Sequence, residues 1–150
     1  MKIFDEYVDK MRLEYLPRLT GMNAVSVADL NHVKLPEAGV YVLYDEEDKP
    51  LYAGRTNRLK VRLKQHSHEN SSHYSASFAF LLAREKAQDS SKRSRAVLAA
   101  DPAFKFKEAK DEVRSMRFRC VLITDPIEQA LFEMYAAIEL KTPYNFFDTH

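Results

Sequence analysis

The chain has one cysteine, three glycines and no tryptophan in 150 residues. With Cys120 alone, no internal disulfide and no cluster of cysteine ligands can form, which excludes a disulfide scaffold and favours a reducing, cytoplasmic setting. No apolar run approaches the roughly 18 residues of a membrane helix. The first six residues carry charges where a secretory leader would be apolar. Low-complexity tracts and internal repeats are also missing. Net charge is almost absent at +1, yet it is unevenly spread. Residues 55–119 hold 16 Lys or Arg against 7 Asp or Glu, and the remainder holds 7 against 15. A basic middle between acidic flanks fits either a surface facing a polyanion or a set of solvated helix faces. The rest of the composition, 45% hydrophobic and 30% charged, is that of an ordinary globular domain.

Scarce glycine makes its placement informative. Gly39 opens the run Gly39-Val40-Tyr41-Val42-Leu43-Tyr44, and Gly54 lies near the end of Leu51-Tyr52-Ala53-Gly54-Arg55-Thr56. The polar stretch from Asp45 to Pro50 separates them, so the pattern predicts a β-hairpin. Glycine serves where the backbone must turn or another group must come close, and Tyr41 and Tyr52 lie beside these two glycines. A third strand is expected over 117–124, which gives a small antiparallel sheet flanked by helices, an α+β fold.

The helices are read from apolar spacing and caps. Residues 3–16 have a stripe of Ile3, Tyr7, Met11 and Tyr15, with Pro17 expected to stop the helix. Residues 26–35 suit a short helix capped by Ser26 or Asp29. After Thr56 or Asn57 as cap, strong helix formers follow. Leu59 and Leu63 should face the sheet, while Arg62 and His66 project together at the margin between core and solvent. Further helices are expected at 78–87, 96–100 and 101–116. His66, His68 and His73 are close together but match no common zinc spacing. Asp125-Pro126-Ile127-Glu128 resembles a capping box opening a helix over 126–140, whose expected core stripe is Ile127, Leu131, Met134, Tyr135 and Ile138. Glu133 falls on another stripe, between Ala130 and Ala137, where small neighbours leave its carboxylate approachable.

Together these pieces resemble the GIY-YIG nuclease superfamily. The two signature tripeptides appear as Gly39-Val40-Tyr41 and Tyr52-Ala53-Gly54. The family's helical arginine, its histidine one turn later, its metal-binding glutamate and its later asparagine match Arg62, His66, Glu133 and Asn145. The resemblance covers roughly residues 37–147, with a helical extension at 1–36 and three strands in the sheet. Two departures are visible. Val40 and Ala53 replace isoleucines, and the stretch 67–116 is longer than in compact members, resembling the inserted helices that some restriction endonucleases of this group use to grip DNA.

The resemblance implies metal-dependent hydrolysis of a DNA phosphodiester, with one Mg2+ or Mn2+ held by Glu133. Arg62 would stabilise charge on the phosphate, Tyr41 would be the general base, Tyr52 would orient water or phosphate, and Asn145 would anchor the site. His66, with Arg62 and the ion, would help lower the Tyr41 pKa. Arg55, Arg58, Lys60, Lys64, Arg93, Arg95, Lys105 and Lys107 are candidate phosphate contacts to double-stranded DNA. A homodimer would let one site per chain cut both strands. The alternatives are a nucleic-acid-binding module of the same fold without cleavage, or a protein-interaction domain.

Overall fold

Gly39–Tyr44 is apolar or aromatic at every position after its glycine, and in the computed structural model it forms a strand, β2, buried along its whole length. The structure describes residues 3–89 and 91–147. β2 pairs antiparallel with β3 (Pro50–Thr56) on one side and β4 (Arg117–Leu122) on the other. A two-residue strand, β1 (Val25–Ser26), adds to the far side of β4. Among the described residues the sheet therefore has four strands in the order β1-β4-β2-β3, one more than the three expected. The extra strand is too short to leave an alternating pattern in the sequence. β3 is left as an edge, and the site described below is built around that edge.

Alternation along β2 and β4 divides the core in two. Tyr41, Leu43, Phe118 and Cys120 point to one face. There they meet α3 (Leu59–Gln65), α4 (Ser77–Ala87) and α6 (Phe106–Arg114). Val40, Val42, Ala53 and Val121 point to the other face, against the N-terminal helix and α7 (Pro126–Leu140). A short helix, α5 (Arg95–Ala100), lies between α4 and α6 in the chain.

The N-terminal region differs from the expected helix. α1 (Phe4–Lys10) passes through a π-helical turn, Met11–Tyr15, into α2 (Leu16–Gly21), so Pro17 does not stop it. The wider turn just before Pro17 gives its ring room that a regular helix lacks. Met11, Tyr15 and Leu19 join Phe132 in the core, which spends most of the apolar stripe on packing. Residues 27–32 form a 3-10 helix, with Ser26 at its N-cap position but without a side-chain cap bond. The helix expected over 101–116 is broken: Lys105 takes a left-handed conformation between a 3-10 turn, Pro102–Phe104, and α6.

α7 has the bounds its caps imply. Asp125 accepts from the Glu128 N–H, and Lys141 adopts the left-handed cap conformation. Its buried face is not the expected one. Phe132, Ala136, Ala137 and Gln129 are buried, whereas Ile127, Met134 and Ile138 are exposed. The alanines let the helix lie close to the sheet, and the large aliphatic residues are left outside.

Candidate active site

The site begins at Gly54. It pairs directly with Tyr41 across the hairpin, and a Cβ on residue 54 would land on the Tyr41 hydroxyl and Cζ. The Tyr41 side chain thus lies over a backbone position that only glycine leaves open. Gly39 is fixed in the same way from the other side, because a Cβ there would run into the Val121 carbonyl. Gly54→Ala should therefore displace the Tyr41 ring and cost about 1–3 kcal/mol. A chemical denaturation curve unchanged from the parent would contradict this.

Tyr41 is buried, and its Oη lies 2.6 Å from Nε2 of His66, which closes α3. His66 is fully buried rather than marginal to the core as its helical position suggested. The rings of Tyr41 and Tyr52 both stand edgewise to it, with centroids 5.4 and 5.6 Å away. Tyr52 also stacks on Phe78 at 5.1 Å. Arg62, one turn before His66, is half-buried and donates from Nη1 to the Ser75 carbonyl at 2.6 Å.

These groups perturb one another. Burial raises the Tyr41 phenol above its ordinary range, Tyr52 adds to the rise, and the Arg62 charge opposes it. Burial, then Arg62, pulls the His66 imidazole down to about 3, so it is neutral at pH 7. His66 Nδ1 has no partner among the described residues. The unfolded chain binds a proton at its ordinary pKa near 6.5 and the folded chain does not. Stability should therefore be full above that value and fall with pH between about 6.5 and 3, by up to about 1.4 kcal/mol per unit from this group. Urea midpoints across that range, compared with a His66→Gln variant, measure the contribution. An equal fall in the variant would contradict it.

Glu133 approaches from the other face of the sheet, around the β3 edge. It lines a cavity of about 370 Å³ together with Tyr52, Ala53, Ser77 and Asn145. Burial raises its pKa, while the nearby Arg55 charge and backbone N–H oppose the rise. Among the described residues it makes no ion pair. Asn145 acts as a surrogate strand residue: it accepts from the Ala53 N–H at 2.7 Å and donates to the Ala53 carbonyl at 2.8 Å. Thr142 Oγ1 holds the same amide oxygen at 2.7 Å. The pairing caps part of an otherwise open sheet edge and fixes the chain after α7 beside the cavity.

Six residues read from widely separated parts of the chain therefore converge. Tyr52, Glu133 and Asn145 form the cavity wall, and Tyr41, His66 and Arg62 stand behind Tyr52. The GIY-YIG catalytic domain matches the chain over residues 37–145. The chain belongs to the GIY-YIG family. Comparisons with curated proteins and with solved structures found no match. The chain thus carries the catalytic-domain fold of a nuclease family, and Tyr41 and Gly54, the closing residues of its two signature tripeptides, are in direct register in it.

GIY-YIG nucleases are associated with a divalent cation, and the donor set here fits one. Among the described residues no three His, Cys, Asp or Glu side chains are grouped as an all-protein metal cage. Magnesium does not need such a cage, because one or two carboxylates with waters and phosphate oxygens suffice. A partly desolvated carboxylate that makes no ion pair among the described residues, on the wall of the cavity, suits that coordination.

The candidate phosphate contacts are dispersed. Arg55, Arg58, Lys60, Lys64 and Lys105 are exposed and make no ion pair among the described residues. Arg93 bridges Asp89 at 2.6 Å and Asp101 at 2.9 Å, and Lys107 is 3.7 Å from Asp111. Arg95 lines the cavity itself. Two residues near the site escaped the sequence reading. Arg84, on the last turn of α4, lines the same cavity and has no motif to mark it. Gln129, one turn before Glu133, donates to the Ile123 carbonyl at 2.6 Å and to Asn57 at 3.0 Å, which fixes the start of α7. Among the described residues no helix is long and apolar enough to cross a membrane.

Proposed function

We propose that this GIY-YIG chain is a metal-dependent endonuclease that hydrolyses DNA phosphodiester bonds with an activated water. The observation that carries the reading is the single cavity in which Glu133, Tyr52 and Asn145 meet at the β3 edge, with Tyr41, His66 and Arg62 directly behind it. A Mg2+ or Mn2+ ion held by Glu133 would supply Lewis-acid stabilisation of the leaving oxygen.

The protein's own groups do the remaining work. Arg62 is half-buried and permanently charged, so it can offset negative charge where water offers little competition. Tyr41 is the general base. Its burial favours the neutral phenol, so its proton affinity is high, and Arg62 makes the phenolate accessible. Neutral His66 orients the Tyr41 hydroxyl through Nε2. Tyr52 presents its phenol at the cavity wall, where it can position water or a phosphate oxygen. Asn145 keeps the C-terminal segment against β3. The exposed basic residues Arg55, Arg58, Lys60, Lys64 and Lys105 would contact flanking phosphates of a duplex. One site cuts one strand per event, and a second copy of the chain would be needed to cut both together.

The intact set of Tyr41, Arg62, Glu133 and Asn145 favours an enzyme over a silent binding module. Incubation with supercoiled, branched, flapped and single-stranded DNA in Mg2+ or Mn2+, followed by sequencing of the ends, tests the reading. Internal cleavage of at least one DNA form is expected. Cleavage of RNA alone, or release of terminal nucleotides alone, would overturn the assignment.

A further inference from the structure

The cavity has a second wall, to which the catalytic roles above assign nothing. Arg84, near the end of α4, and Arg95, the first residue of α5, both line it, so the inserted region reaches the same space as Glu133. The two guanidinium groups lie against one aromatic ring: their central carbons are 4.3 Å (Arg95) and 5.8 Å (Arg84) from the Phe80 centroid. Neither makes an ion pair among the described residues. Arg95 spends one donor on the His73 carbonyl at 3.0 Å, and its buried Nε has no partner among the described residues. Burial and the Arg84 charge both lower the Arg95 pKa. Glu133, the one carboxylate on the cavity lining among the described residues, makes no ion pair with either cation.

Neighbouring cations that make no ion pair among the described residues form a receptor for an anion. The guanidinium fork matches phosphate oxygens, and Phe80 holds the planar groups in place from behind. We propose that Arg84 and Arg95 bind a second phosphate, on the same strand as the bond cleaved at Glu133 and next to it. The proposal rests on the endonuclease reading above. It gives the insert a part in placing the strand, in addition to any hold on the duplex outside the cavity. Arg84 and Arg95 are positioning residues in this account.

Binding of a labelled DNA duplex by the full chain in EDTA, from about 50 to 200 mM salt, tests it. Replacing both residues, Arg84→Gln with Arg95→Gln, should lower the steepness of log affinity against log salt by about 1, the amount lost with one phosphate contact. Arg95→Lys should recover part of the slope because it keeps the charge. Arg84→Gln alone removes an exposed side chain that has no hydrogen bond among the described residues, so folding is not at issue, and it should weaken binding several-fold at the low-salt end. Wild-type slope and affinity in Arg84→Gln and in the folded double variant, with the parent still binding and cutting DNA, would overturn the subsite and leave the nuclease reading intact. A parent chain that neither binds nor cuts DNA would overturn both.

Discussion

Glu133→Gln should lower metal-dependent DNA cleavage by about 10³-fold while leaving the protein folded. The expected loss follows from the several kcal/mol of charge stabilisation a bound divalent ion supplies, at about 1.4 kcal/mol per tenfold in rate. The folded state should tolerate the change for a separate reason. Burial raises the Glu133 pKa, so the fold already disfavours its charge. A group with a raised folded pKa stabilises most when protonated, and a neutral amide of the same shape imitates that form. Glutamine should therefore keep or slightly raise the thermal midpoint while activity collapses. Full cleavage in the variant, still dependent on the ion, would remove Glu133 from the centre of the account.

Tyr41→Phe should cost about 10²- to 10⁴-fold in rate, the range for a general base. Because the Tyr41 phenol is raised above its ordinary pKa, only a small fraction is ionised near neutrality. Cleavage by the parent should consequently climb with pH from 6 to 9 at saturating metal ion. The phenylalanine variant should lose most of that climb. It also leaves His66 Nε2 unpaired in the core, a stability cost of about 1–3 kcal/mol. Rates must therefore be compared well below the variant's melting temperature. Tyr52→Phe is the essential comparison, because Tyr52 and not Tyr41 lies on the cavity wall. Tyr41→Phe should be the more damaging of the two. The reverse order, with the pH dependence lost in Tyr52→Phe, would transfer the role of base to Tyr52.

Much of the site was legible because its constraints are local. Gly39 and Gly54 are two of only three glycines, and each lies where another group closes on the backbone. Asp125-Pro126 and the stop after Leu140 bound α7 through cap chemistry, which depends on adjacent residues. The face that α7 buries was not legible. Ile127, Met134 and Ile138 are as apolar as a core stripe, but close approach to β3 and β2 selects the smaller Ala136 and Ala137. Pro17 misled for a related reason: a π-helical turn accommodates it, and nothing in the composition announces that turn. Arg84 was invisible because its place on the cavity wall depends on where the insert folds back, and no spacing rule encodes that return.

The resemblance placed six residues in one site, and the sheet edge explains how two faces of the fold can share it. Tyr41, Arg62 and His66 belong to the side covered by α3, while Glu133 belongs to the side covered by α7. At the β3 edge, beyond which no strand pairs among the described residues, Tyr52 and Glu133 line one cavity. Asn145 closes the backbone of that edge at Ala53 without filling the cavity.

Nicking of a supercoiled plasmid by the purified chain is the most direct measurement, made with Mg2+, with Mn2+ and with EDTA, beside the Glu133→Gln variant. The account predicts open circles with either ion or both, none in EDTA, and almost none from the variant. Plasmid that stays supercoiled with both ions, at a salt concentration where the chain binds it, would contradict the account.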